Sequence, residues 1–108
     1  MIKTITLLSL SIALVAGAPA LAGGNAEAGK AKSATCAGCH GPDGNSPAAS
    51  FPKLAGQYED YLYQSLKDYK NGKRKNPIMA GLVAGLSDQD MQDLAAFFAR
   101  QKGLSQKY

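Results

Sequence analysis

Histidine appears once in this 108-residue chain, cysteine twice and tryptophan not at all. Structural zinc wants four Cys/His ligands, so three such residues exclude a closed zinc site. The apolar/polar alternation of half-buried strands is also missing. That removes the βαβ setting in which a C-x-x-C pair reads as thioredoxin-like redox chemistry. Charge of one sign is scarce too: 12 Lys+Arg stand against 8 Asp+Glu, a formal +4. The one dense basic run, residues 70–75, carries Lys70, Lys73, Arg74 and Lys75 with no aromatic residue between them. Nucleic-acid binding is excluded on both counts. No acid–base or nucleophilic group stands out beyond the cysteines and the histidine, so the sequence does not read as an enzyme.

What is there is concentrated. Both cysteines and the histidine fall in one window, Cys36-Ala37-Gly38-Cys39-His40. This is the C-x-x-C-H pattern of covalent c-type haem attachment. Two thiols three positions apart lie on one helical turn and can add to two vinyl groups of a porphyrin. The following imidazole is placed to be the proximal iron ligand. A disulfide between the cysteines would leave His40 unexplained.

Residues 1–22 read as an export signal. Lys3 gives a positive start, residues 5–18 an apolar stretch broken only by Thr and Ser, and Ala20-Leu21-Ala22 an A-x-A cleavage site. The expected mature chain is one domain, residues 23–108. The alternative is an uncleaved anchor, against which the apolar stretch is short for a span of about 20 residues. So small a domain has a marginal core, and its cysteines are committed to haem. The porphyrin is therefore expected to act as staple and core, with folding and haem attachment coupled. Export exposes the thiols to an oxidising compartment, with the periplasm the expected address and a thylakoid lumen the lesser option.

Three main helices are legible, separated by glycine- and proline-rich connections. The first covers residues 25–39, with Asn25 as N-cap and Ala26, Ala28, Ala31 and Ala34 forming a small-residue surface. Residues 41–56 lack periodicity and form a loop, from which Phe51 and Leu54 can fold onto the porphyrin. The second helix covers residues 59–71. Tyr58, Tyr61, Leu62, Leu66 and Tyr69 mark its apolar face, and Gly72 ends it. The third starts at a capping box on Ser87 and Asp90, lines one face with Met91, Leu94, Ala95 and Phe98, and runs to about Gln101 with Gly103 as its stop.

One histidine leaves the second axial position open, and a methionine thioether is the usual partner in electron-transfer haem proteins. Outside the leader only Met79 and Met91 remain. Met79 sits in a stretch, residues 76–81, that reads as non-helical and able to lie against the iron. Met91 is at a core-facing helical position, where methionine is commonly filler. Met79 is the expected ligand, with an open or water-bound iron as the alternative.

With these features in order, the chain resembles class I cytochromes c of the small bacterial monohaem type, and also one half of the periplasmic dihaem cytochromes c. The resemblance is carried by the small-residue helix leading into Cys36-Ala37-Gly38-Cys39-His40-Gly41, then Phe51-Pro52-Lys53-Leu54-Ala55-Gly56-Gln57. Tyr61-Leu62, Gly72-Lys73-Arg74, Met79, Leu86-Ser87-Asp88 and Leu94-Ala95-Ala96-Phe97-Phe98 follow. It implies an all-α fold in which the first and last helices cross beside one covalent haem c. It further implies Cys36 and Cys39 as thioether sites, His40 and Met79 as axial ligands, and Pro52, Leu54, Gln57 and Arg74 around the haem edge and propionates. One departure stands out: this family often has an aromatic residue near Ser33. The crossing here must therefore rest on Gly29 and the alanines against Phe97 or Phe98. The function expected is a soluble periplasmic electron carrier cycling between Fe(II) and Fe(III). Redox donor and acceptor proteins are its partners, and residues 70–75 are either a solvated helix end or a dock for an acidic surface. The alternatives are an anchored or subunit-type cytochrome of one oxidoreductase, and an open-site haem enzyme or gas binder.

Overall fold

The computed structural model describes residues 23–104, so the expected leader lies outside the described residues. Five helices follow in order: α1 (Ala26–Lys32), α2 (Ala34–His40), α3 (Glu59–Asn71), α4 (Pro77–Val83) and α5 (Asp88–Ala99). No strand occurs among the described residues. The all-α class is as expected, with differences inside it.

The first predicted helix is divided at Ser33. Its hydroxyl donates to the Lys30 carbonyl at 2.8 Å, and its own N–H bonds the same oxygen at 3.2 Å. A serine bonding back to the preceding turn competes with the i→i−4 ladder and tightens it locally. Ser33 thus closes α1, and its carbonyl starts α2 by accepting from Cys36 and Ala37 N–H at 3.0 Å.

Residues 76–81 correct a second expectation. Met79 lies not in an irregular stretch but within α4. Asn76 caps this helix and Pro77 occupies its first position, the arrangement in which proline supports a helix start.

The α1–α5 crossing is built on a glycine. A Cβ placed on Gly29 would come 2.0 Å from the Asp93 carbonyl oxygen and 2.8 Å from the Phe97 Cβ. Only a bare backbone allows α1 this close, and of the two expected phenylalanines Phe97 is the one beside it. The crossing is fastened by polar groups that periodicity does not mark. Lys32 Nζ lies 2.7 Å from Asp93 Oδ2 and 2.8 Å from Asp90 Oδ1, while Asn25 N–H and Gln89 Nε2 both donate to Asp93 Oδ1 at 2.8 Å. Asp93 is buried, with its carboxylate satisfied on both oxygens.

α5 starts as predicted: Ser87 Oγ accepts from Asp90 N–H at 3.0 Å and Asp90 Oδ2 from Ser87 N–H at 2.9 Å. It ends at Ala99, earlier than expected, and Gly103 is not its stop. Gly103 packs so closely on Ala55 that an added Cβ would sit 2.5 Å from the Ala55 Cβ. The Leu104 N–H to Ala55 carbonyl bond (2.9 Å) and the Gly56 N–H to Phe98 carbonyl bond (2.9 Å) tie this exit to the 41–56 loop. Leu62, Leu94, Ala95, Phe97 and Phe98 form the core; the two phenylalanine rings are 5.0 Å apart and tilted by 60°.

Candidate functional site

α2 is short, but it ends where chemistry is needed. Cys36 and Cys39, three positions apart, carry free thiols on one turn, and His40 is the last helical residue. Gly41 follows at φ +85°, and a Cβ there would meet the Asn45 carbonyl oxygen at 2.6 Å, so the chain reverses where only glycine fits. The turn brings the 41–56 loop back across the histidine. His40 Nδ1 lies 2.8 Å from the Pro52 carbonyl oxygen. A carbonyl only accepts, so Nδ1 carries the proton and the Nε2 lone pair is left for a metal. Phe51 approaches the imidazole edge-on, its centroid 6.4 Å away. Burial pushes the Cys36 thiol up, countered in part by a hydrogen bond with Thr35.

These groups face a cleft of about 550 Å³, within the range of cofactor sites. α3 supplies Tyr61, Leu62, Ser65, Leu66 and Tyr69, α4 supplies Ile78, Met79, Leu82 and Val83, and α5 supplies Leu94, Ala95 and Phe98. All eight residues singled out in the sequence line it: Cys36, Cys39, His40, Pro52, Leu54, Gln57, Arg74 and Met79. Pro52 serves in a way its side chain does not suggest, through its carbonyl. Met91 is buried in the α5 packing face and is not among the lining residues.

The basic run of residues 70–75 is split by its contacts. Arg74 turns back to the cleft, its guanidinium 4.6 Å from the Tyr69 ring centroid and its Nη1 3.2 Å from Ser65 Oγ. Lys70 Nζ instead donates to the Leu86 carbonyl. Among the described residues, the charged side chains lining the cleft are Lys53 and Arg74, with no carboxylate beside them. Lys53, Ser65 and Asn76 are lining residues that sequence reasoning passed over. Asn76 alone had a usable signal, an N-cap residue directly before proline. Tyr63, left off the predicted apolar face, packs against the core and donates its hydroxyl to Asp88. Tyr58 and Tyr61, placed on that face, are half exposed.

An apolar slot with two thiols, one oriented imidazole, one thioether and two cations suits an anionic iron porphyrin. Residues 26–102 match the family described as Cytochrome c. The chain belongs to the cytochrome c family. It is 55% identical over 96 residues to cytochrome c4 of Pseudomonas aeruginosa, a match covering 89% of this chain and 48% of that protein. It is 43% identical over 82 residues to cytochrome c-554(548) of Halomonas halodenitrificans, covering 73% of this chain and 99% of the other. The crystal structure of reduced recombinant cytochrome c4 from Pseudomonas stutzeri superposes with a TM-score of 0.72 at 52% identity, over 75% of this chain and 47% of that one. The chain thus spans about half the length of the cytochrome c4 relatives it matches. It is a class I c-type cytochrome domain, and its extent fits one half of a dihaem cytochrome. The family carries covalently attached haem c and transfers electrons.

Proposed function

We propose that this domain is a soluble periplasmic electron carrier with a single haem c, tethered by Cys36 and Cys39 and ligated axially by His40 and Met79. The observation that carries this reading is the convergence of those four side chains, from α2 and α4, on one apolar cleft. When bound, haem c supplies a one-electron Fe(II)/Fe(III) couple. The chain's contribution is to hold that couple still and out of water. The Pro52 carbonyl fixes the imidazole tautomer, so His40 presents Nε2 in one orientation. Met79 offers a soft sulfur that favours the reduced state. Leu54, Leu66, Leu94 and Phe98 keep the site apolar, while Lys53 and Arg74 balance the porphyrin carboxylates.

With His40 and Met79 both holding the iron, no position on it would be left for substrate, so this reading assigns no enzymatic step. Cytochrome c-554(548), 99% of whose length is matched, is a relative of single-domain size, which supports reading this domain as a one-haem unit. The A-x-A sequence at Ala20-Leu21-Ala22 supports export and removal of residues 1–22. Among the described residues no helix is long and apolar enough to cross a membrane. The partners are redox proteins that give and take the electron, and the exposed Lys73 and Lys75 provide cations for an acidic docking surface. Carbon monoxide added to the native ferrous protein tests the reading. A slow or negligible spectral change is expected, because Met79 must first leave. Rapid binding at the mixing time would show an open iron and contradict it.

A further inference from the structure

Met79 reaches the cleft on the seven-residue helix α4, whose buried residue is Val83, at the opposite end from Asn76. Helices this short do not persist by themselves in water, so the turn bearing Met79 needs support at its N-terminal end. Asn76 provides it. Its Oδ1 accepts from both Ile78 N–H and Met79 N–H at 3.1 Å, and its main-chain carbonyl accepts from Ala80 N–H at 2.8 Å. Pro77 has no N–H to satisfy. One residue therefore takes up every donor of the first turn, and one of those donors is Met79's own. The backbone of Asn76 is pre-set for capping, at φ −149° and ψ 110°, in the extended region that a residue before proline prefers.

We propose that Asn76 is a positioning residue for the distal ligand. By holding the main-chain N–H of Met79, it keeps the thioether within reach of the iron and keeps the sulfur-bound state favoured over an open one. The inference rests on the reading of Met79 as ligand. Val83 secures the far end of α4, so loss of the cap should free the Met79 turn and leave the rest of the domain folded.

The test is titration of the ferric holoprotein with imidazole, a neutral ligand that must displace sulfur, while following the weak sulfur-to-iron absorption band. Asn76→Ala should bind imidazole about tenfold more tightly than wild type and lose band intensity, the scale set by loss of a cap. Asn76→Asp keeps the acceptor and should stay within about twofold of wild type. Ser87→Ala removes the cap of α5 instead; it should lower the melting temperature and leave imidazole affinity alone. Wild-type affinity and band in Asn76→Ala would overturn the inference. An equal gain in affinity in Ser87→Ala would overturn it as well, because general loosening would then account for the effect. Met79→Ala separates the two readings. If it binds imidazole more tightly and Asn76→Ala does not, the positioning role alone fails. If Met79→Ala itself matches wild type, the ligand assignment fails and the positioning role with it.

Discussion

At the level of single residues the fold depends on what certain side chains lack. Gly29 lets α1 touch the backbone of α5 at Asp93. Gly29→Val should be strongly destabilising, by about 3 kcal/mol or more, because the obstructing atoms are backbone and cannot rotate away. Denaturant unfolding of the holoprotein measures it, and a change below about 1 kcal/mol would show that the helices separate cheaply. His40 is the complementary case, a residue whose use depends on a single partner. The Pro52 carbonyl decides which nitrogen keeps its proton, and backbone carbonyls leave no trace in a sequence. The motif residues Cys36, Cys39 and His40 were legible because their chemistry is local to five positions. Lys53 and Ser65 were not, because they matter only through the cleft that three-dimensional packing creates.

Among the helices, legibility followed the length and strength of each pattern. α5 has a capping box and a continuous apolar face, and both were readable from Ser87 onward. α4 was missed because seven residues, one of them Gly81, give too few turns for periodicity to register. The better signal was Asn76-Pro77 at its start. The division of the first helix turns on one serine hydroxyl bonding back to Lys30, a choice that composition does not reveal. The fastening of α1 to α5 was likewise invisible, since Asp93 on an amphipathic helix reads as a solvated charge.

That fastening makes a pH prediction. The Lys32 ammonium beside Asp90, with bonds to Ser87, holds the Asp90 carboxyl down to about 2. Asp93 is likewise lowered, first by the Asn25 N–H and then by Lys32, and Lys32 is raised by the two aspartates. Carboxylates with lowered values contribute stability that is fully present above the unfolded value near 3.9 and lost as pH falls through the folded value. Raised Lys32 contributes below its unfolded value near 10.4 and loses that contribution only at more alkaline pH. Stability should therefore fall between about pH 4 and pH 2, and Asp93→Asn should flatten that fall. The same variant should cost about 1–3 kcal/mol at neutral pH, through a weakened buried acceptor. Parallel acid profiles for wild type and Asp93→Asn would contradict the assignment.

For the whole molecule, one cleft draws on four helices and the 41–56 loop, so cofactor and fold are expected to be interdependent. The protein core of Leu62, Leu94, Ala95, Phe97 and Phe98 is small, and a domain of this size needs further support. The Cys36→Ala, Cys39→Ala double variant should yield little protein with stably attached haem, assayed by haem stain after denaturation. Normal yields would remove the thioether assignment. N-terminal sequencing of the exported protein should begin at Gly23. An N-terminus that still includes residues 1–22 would favour an anchored protein.

Axial ligation by His40 and Met79 is best tested by a redox-titrated absorption spectrum of the mature holoprotein beside Met79→Ala. Wild type should show one haem with a reversible one-electron midpoint and a sulfur-to-iron band. In Met79→Ala the band should vanish, the haem should remain attached, and the potential should fall by on the order of 0.1 V, within the roughly 0.8 V over which axial ligands set haem potentials. An unchanged band and midpoint in Met79→Ala would mean that Met79 does not hold the iron.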